Sequence, residues 1–212
     1  MKISRFVFNM FGENCYVAYD EATRQTMVID PGMIDRAECD AISEFIDRNH
    51  LTVTHLVNTH MHLDHIFGDN FIKNRYGVKI ECGKADAAMG ENLEQMVRRF
   101  GIRTKIEPVV ADVFLSPGDE ITLGDEKIKV IAVPGHSPGS IALYAPESGV
   151  VFTGDALFAG SIGRTDLEGG DHSQLVNAIR ENLLTLPDDT VVLPGHGGES
   201  TIAREKAANP FL

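Results

Sequence analysis

The β-branched and apolar run Thr52–Val57 leads straight into Thr59-His60-Met61-His62-Leu63-Asp64-His65, and nothing else in the chain limits its fold as tightly. Three imidazoles and a carboxylate stand in the pattern His-x-His-x-Asp-His. Side chains two apart in an extended or turning backbone converge on one point, while Asp64 and His65 address a second point close by. That arrangement suits two adjacent metal ions. Paired divalent metals turn water into a hydroxide nucleophile near neutral pH. The plainer alternative is a His-rich turn of no consequence.

Composition narrows the classes around this motif. The 212 residues suffice for a proper core, and no linker, low-complexity tract or repeat breaks them, so a single domain over 1–212 is expected. The net charge of −12, from 19 Lys+Arg against 31 Asp+Glu, works against binding nucleic-acid phosphates. Two divalent cations would offset about four of those charges. Cys15, Cys39 and Cys82 are odd in number and far apart, which supports neither a disulfide framework nor a zinc ribbon; they read as small buried thiols. The start Met1-Lys2-Ile3-Ser4-Arg5-Phe6 lacks the apolar run of a signal peptide, and no stretch has the apolar length of a membrane span. A reducing, cytoplasmic setting without membrane or nucleic-acid partners is the expectation, as a monomer or small homo-oligomer.

Strand signals fall at 2–8, 14–19 and 26–30, with a Pro31-Gly32 stop. An amphipathic helix fits 35–48, with Ile42, Phe45 and Ile46 on one face. After the His-rich turn, 65–75 reads as helix and Val78-Lys79-Ile80 as a short strand, and 84–105 reads as two helical pieces. Strands return at 120–123, 127–132, 140–144, 150–153 and 191–193, and helices fit 172–184, capped by Asp171, and 200–208. The order implies two similar halves whose sheets pack between outer helices.

Three further segments offer ligand-type side chains. Val133-Pro134-Gly135-His136-Ser137, Val151-Phe152-Thr153-Gly154-Asp155 and Val192-Leu193-Pro194-Gly195-His196 each join an apolar strand to one such residue, with glycine beside it so that backbone can crowd a metal. Any one alone could be an incidental turn. Together with the first motif they are hard to explain otherwise.

On these residues the chain resembles the metallo-β-lactamase fold superfamily, over residues 3–212, and within it the short glyoxalase II-like hydrolases. The resemblance implies a four-layer αβ/βα sandwich of the α/β class. It implies one metal held by His60, His62 and His136, a second by Asp64, His65 and His196, and Asp155 bridging both. Asp64 would also serve catalysis beside the metal-bound hydroxide. Asp30 matches a position just outside the ligands, where a carboxylate orients an imidazole, although a turn-forming Asp before Pro explains it equally well. Five imidazoles and two carboxylates accept zinc, iron or manganese, and zinc is the first expectation. Asp155 stands where many β-lactamases of this fold carry cysteine.

The activity implied is hydrolysis of a small-molecule thioester, in the manner of hydroxyacylglutathione hydrolase, by a metal-bridging hydroxide. A persulfide dioxygenase using one iron on His60, His136 and Asp155 fits the same ligands, and so does a catalytically silent metal-binding protein. Gly163-Arg164-Thr165-Asp166 resembles the same branches, with Arg164 and Asp166 as an ion pair setting the loop or simply a solvated pair. The chain stops 16 residues after His196, so the C-terminal helical domain that grips glutathione in two-domain relatives is expected to be missing. Arg98, Arg99, Arg103 and Lys105 could substitute by holding a substrate carboxylate, with Arg164 as a further contact, although a solvated helix face is the commoner meaning of such a cluster. His50, His55 and His172 read as structural.

Overall fold

The structure, a computed structural model, describes residues 1–102 and 106–212. In the first of two six-stranded sheets, β1 (Lys2–Phe8), β2 (Glu13–Tyr19) and β3 (Gln25–Ile29) run antiparallel. The sheet continues in parallel through β4 (Thr52–Asn58), β5 (Ile80–Gly83) and β6 (Val113–Leu115). The second contains β7 (Glu120–Leu123), β8 (Glu126–Ala132), β9 (Ile141–Ala145) and β10 (Val150–Gly154). A small pair, β11 (Leu157–Phe158) and β12 (Ser161–Ile162), follows. The second sheet then closes with β13 (Val191–Pro194) and β14 (Ser200–Thr201), in the order β14-β13-β10-β9-β8-β7.

The period of two in a strand explains the layering. Along β2, Tyr16 and Ala18 face the opposite sheet while Cys15 and Val17 face the helices. Met27 and Ile29 of β3 meet Leu143, Phe152 and Leu193 across the inter-sheet core, where the Phe152 ring stands edge-on to Tyr16 at 5.2 Å. Helices α1 (Arg36–Arg48), α2 (Leu63–Ile66), α3 (Asp69–Tyr76), α4 (Ala87–Glu91) and α5 (Leu93–Arg99) belong to the first half. Helices α6 (His172–Ala178) and α7 (Ile202–Ala208) belong to the second. Ile42 and Ile46, one turn apart, bury the inner face of α1, and Asp35 caps it by accepting from the Glu38 N–H at 3.0 Å. The result is the four-layer αβ/βα sandwich of the α/β class.

Several boundaries move for identifiable reasons. The helix expected over 65–75 is two, α2 and α3, because Gly68 donates its N–H to Pro31 O at 2.7 Å and lies so close to that backbone oxygen that a Cβ would collide with it. The strand expected at 78–80 lies at 80–83, where its backbone pairs with both β4 and β6. The helix expected over 172–184 starts at its Asp171 cap but widens to a π turn at Ile179–Leu183. Ser200 and Thr201 pair with β13 instead of starting the last helix. The helical reading of 84–105 holds for α4 and α5, and its end falls on residues outside those described. No helix among the described residues is long and apolar enough to cross a membrane.

Candidate metal centre

Strands β4, β8, β10 and β13 end at one edge of the sandwich, and just beyond their carboxyl ends come His60, His136, Asp155 and His196. This is where open α/β sheets present ligands. The two halves are stitched at that edge: Ile141 N–H donates to Thr59 O at 2.8 Å and Asn14 N–H to Gly195 O at 2.7 Å. The Tyr16 hydroxyl and Asn14 amide both donate to Pro194 O, at 2.7 and 2.9 Å.

The seven candidate ligands converge. His60, His62 and His136 bring ligand atoms within 4.8 Å of one another, and so do Asp64, His65 and His196. His60 Nε2 and His136 Nε2 are 3.2 Å apart, and His65 Nε2 and His196 Nε2 3.3 Å. Ligand nitrogens of a tetrahedral zinc site, each about 2.0–2.1 Å from the metal, stand about 3.3 Å from each other. Asp155 lies between the groups, 3.4 Å from His65 Nε2, 3.6 Å from His136 Nε2 and 3.5 Å from His196 Nε2. Its Oδ1 is buried without a hydrogen bond. Gly195 keeps the cluster tight, since a Cβ there would collide with Asp155 Oδ1 and His65.

Hydrogen bonds behind the rings fix which nitrogens point inward. His136 Nδ1–H donates to Arg164 O at 2.7 Å and His65 Nδ1–H to Asp30 Oδ2 at 3.1 Å. Thr59 Oγ1 donates to Asp30 Oδ2 at 2.7 Å and so accepts from His60 Nδ1–H at 3.1 Å. With their protons on Nδ1, all three rings turn an Nε2 lone pair into the cluster. Lone pairs facing lone pairs, beside a buried carboxylate oxygen with no donor, are the electrostatic complement of cations. The donor set fits two divalent metals.

The family model described as the metallo-beta-lactamase superfamily matches residues 9–196. The chain belongs to that superfamily. It is 36% identical over 214 residues to hydroxyacylglutathione hydrolase GloC of Haemophilus influenzae, covering 100% of this chain and 98% of that one. Among solved structures it is similar to the B3 metallo-beta-lactamase BLEG-1, with a TM-score of 0.90 and 32% identity, covering 100% of this chain and 99% of that one. It is also similar to TTHA1623, solved in a di-iron-bound form, with a TM-score of 0.86 and 31% identity over 99% of this chain and 100% of that one. This is a family of metallo-hydrolases, and the His/Asp cluster supports divalent metals in this member.

Burial and the neighbouring imidazoles push His60 well down and His62 to about 4, which keeps both neutral. Burial opposes ionisation of Asp155, but His65, His196 and His136 outweigh it and hold its carboxyl well below the usual range. At His65 the Asp155 and Asp64 carboxylates outweigh burial and raise its pKa, so a proton occupies the place that a cation would take when Nε2 serves as a ligand.

Two supporting carboxylates matter. Asp30, read equally as a turn residue or an orienting group, orients: it accepts from Thr59 N–H and Oγ1, both at 2.7 Å, and backs His65. It does so in left-handed backbone, at φ 49°, a conformation that Asp tolerates better than most residues. Asp86, absent from the sequence reading, reaches from the first half to the loop carrying His136, accepting from Ser137 Oγ and Gly139 N–H, both at 2.6 Å. Nothing local in Lys84-Ala85-Asp86 announces that role.

A cleft of about 800 Å³ opens over the cluster, and His62, Asp64, His136, Asp155 and His196 form its floor. Arg99 and Arg164 are on its wall, whereas Arg98 is not among the lining residues and pairs with Glu94 at 2.6 Å. Arg103, like Lys105, lies outside the described residues. Arg164 grips Asp166 through two bonds of 2.7 and 2.8 Å, forming the ion pair of the 163–166 loop. His50, His55 and His172 stay away from the cluster, His55 bonding Glu81 at 2.8 Å. Cys15 and Cys82 are buried, Cys39 is half-buried, and all three are free thiols.

Proposed function

We propose that the protein is a dinuclear metal-dependent thioesterase acting on a small-molecule thioester. The observation that carries this reading is Asp155, a largely buried carboxylate set between two groups of three candidate ligands, with one oxygen buried and without a hydrogen bond. His60, His62 and His136 would hold one ion, Asp64, His65 and His196 the other, and Asp155 both. Bound there, divalent metals supply a lowered pKa for coordinated water and an electrophile for a carbonyl oxygen.

The chain's own groups do the rest. Asp30, Thr59 and the Arg164 carbonyl hold three imidazoles in the ligand tautomer. Asp64 reaches the cleft floor 3.3 Å from His196 Nε2, so its carboxylate can take a proton from an attacking water or orient it. The apolar cleft wall excludes bulk water and strengthens these interactions. A departing thiolate needs little acid assistance. The resemblance to the hydrolase named GloC supports a thioester as substrate.

The test is metal analysis of protein purified without added metal, paired with assays on a thioester and on a persulfide. One to two equivalents of zinc, iron or manganese, with metal-dependent thioester hydrolysis, are expected. Protein that stays metal-free after incubation with each ion, or that consumes oxygen with persulfide and leaves thioesters intact, overturns the reading.

A further inference from the structure

The cleft is chemically lopsided. Above its floor of ligands, one wall is built from Leu63, Met89 and Met96, and its mouth from Phe11 and Phe100. Phe11 comes from the β1–β2 turn and Phe100 from the end of α5, yet the two rings meet edge-on at 6.0 Å. They are 38% and 47% exposed. Aromatic rings from distant segments that meet in solvent beside a cavity form a contiguous apolar patch of the kind that lines ligand grooves. Met89 and Met96 beneath them are unbranched and adapt to irregular apolar shapes. The apolar path begins at Leu63, flanked in sequence by His62 and Asp64, and so starts beside the reacting centre.

Among the described residues cationic grip is scarce on this wall. Among the described lining residues the positively charged side chains beyond the histidines are Arg99 and Arg164, and each already faces a carboxylate. Arg99 lies 3.4 Å from Glu168 and Arg164 is bidentate on Asp166. Gln95 offers an amide instead, and Asn92 a second one whose N–H already donates to Ala88 O at 2.8 Å. A carrier bearing several carboxylates would compete with Glu168 and Asp166 for the arginines, whereas a carrier bearing amides meets matching groups.

Resting on the thioesterase reading and narrowing it, we propose that the substrate is a thioester whose acyl part is a medium-length apolar chain, on a carrier rich in amides. Its carbonyl lies at the cluster, its chain runs along Leu63, Met96 and Met89, and its end is covered by Phe11 and Phe100. A small polar acyl group would leave most of this surface uncovered.

The experiment uses N-acetylcysteamine thioesters from acetyl to decanoyl, with lactoyl as the polar control, on metal-loaded protein. In parallel, titration calorimetry measures binding of the non-hydrolysable N-acetyl-S-alkylcysteamine thioethers to loaded and metal-stripped protein. We expect kcat/KM and thioether affinity to climb about two- to fourfold per added methylene up to a plateau. The climb should flatten in Phe11→Ser/Phe100→Ser, or in Phe11→Ser alone if the double variant does not fold. Equal values across chain lengths, a preference for lactoyl, or an unchanged climb in the variants overturns the proposal. Thioether affinities that climb while no thioester is hydrolysed leave the apolar seat standing and overturn the thioesterase reading instead.

Discussion

The first sheet brings four candidate ligands to the proposed metal centre from one turn, His60 to His65, at the end of β4. The second hands over three from three separate strand ends: His136 beyond β8, Asp155 after β10 and His196 after β13. A contiguous turn presets the spacing of its ligands through local backbone geometry. The three scattered ligands depend on register, because a one-residue slip of any of those strands would turn its ligand to the other face. Bracing compensates, and much of it crosses from the first half: Asp86 holds the His136 loop, and Asn14 and Tyr16 hold Pro194 two residues before His196. The second half's share of the centre is therefore assembled by the first.

The largest effect should come from removing Asp155, the residue proposed to join both metal groups. Asp155→Ala should lower metal occupancy at both positions and cut kcat/KM by about a thousandfold, or ~4 kcal/mol of transition-state stabilisation. Elemental analysis and steady-state kinetics read both. Two retained metals with near-normal turnover would show that Asp155 does not join the halves.

His196→Ala touches one metal group alone, and about a hundredfold loss of thioester hydrolysis is expected, or ~3 kcal/mol. Persulfide-dependent oxygen consumption by the wild type that survives this change would favour a mononuclear iron dioxygenase on His60, His136 and Asp155.

Asp86→Ala probes the cross-half brace. It strands the part-buried Gly139 N–H and leaves the buried Ser137 hydroxyl with Ser140 Oγ alone, at a cost of about 1–2 kcal/mol in stability. Metal affinity at the His60, His62 and His136 group should fall more than at the other, as read by competition with a chelator, and Asp86→Asn should recover part of the loss. Equal weakening of both groups would mean that the brace acts on the fold as a whole.

The smallest effect is expected at the outer edge of the first sheet, where Lys73 bonds both oxygens of Asp112 at 2.7 and 2.8 Å and Asp112 also accepts from Ile80 N–H. Burial raises the Asp112 pKa, but Lys73 and the Ile80 N–H outweigh it and leave the carboxyl below its ordinary value. A depressed folded value makes this contribution present above the unfolded carboxylate pKa, about 3.9, and lost as pH falls through the lower folded one. Asp112→Asn should cost about 0.5 kcal/mol at neutral pH, after discounting for solvent screening, and less in acid, with metal content unchanged. A drop in metal content would break the separation between edge and centre.

Legibility in the sequence followed the range of the interactions. The His-x-His-x-Asp-His turn, the strand-end positions of His136, Asp155 and His196, the period-two strands and the Asp35 and Asp171 caps all rest on residues near each other in the chain. The break at Gly68, the register of β5, the two-residue strands β11, β12 and β14, and the brace from Asp86 do not. Each depends on a partner distant in sequence, and two-residue strands have no periodicity to read.

The sequence by itself determined the kind of donors and the αβ order, because residue type and short spacing carry both. Only the tertiary structure decided that the seven candidate donors gather at one edge of the sandwich, that Asp30 orients His65, and that Arg99 and Arg164 are already matched by carboxylates on the wall of an apolar cleft. The physical reason is distance: local spacing sets what a side chain can offer, whereas pairing between strands and loops remote in sequence sets what it meets.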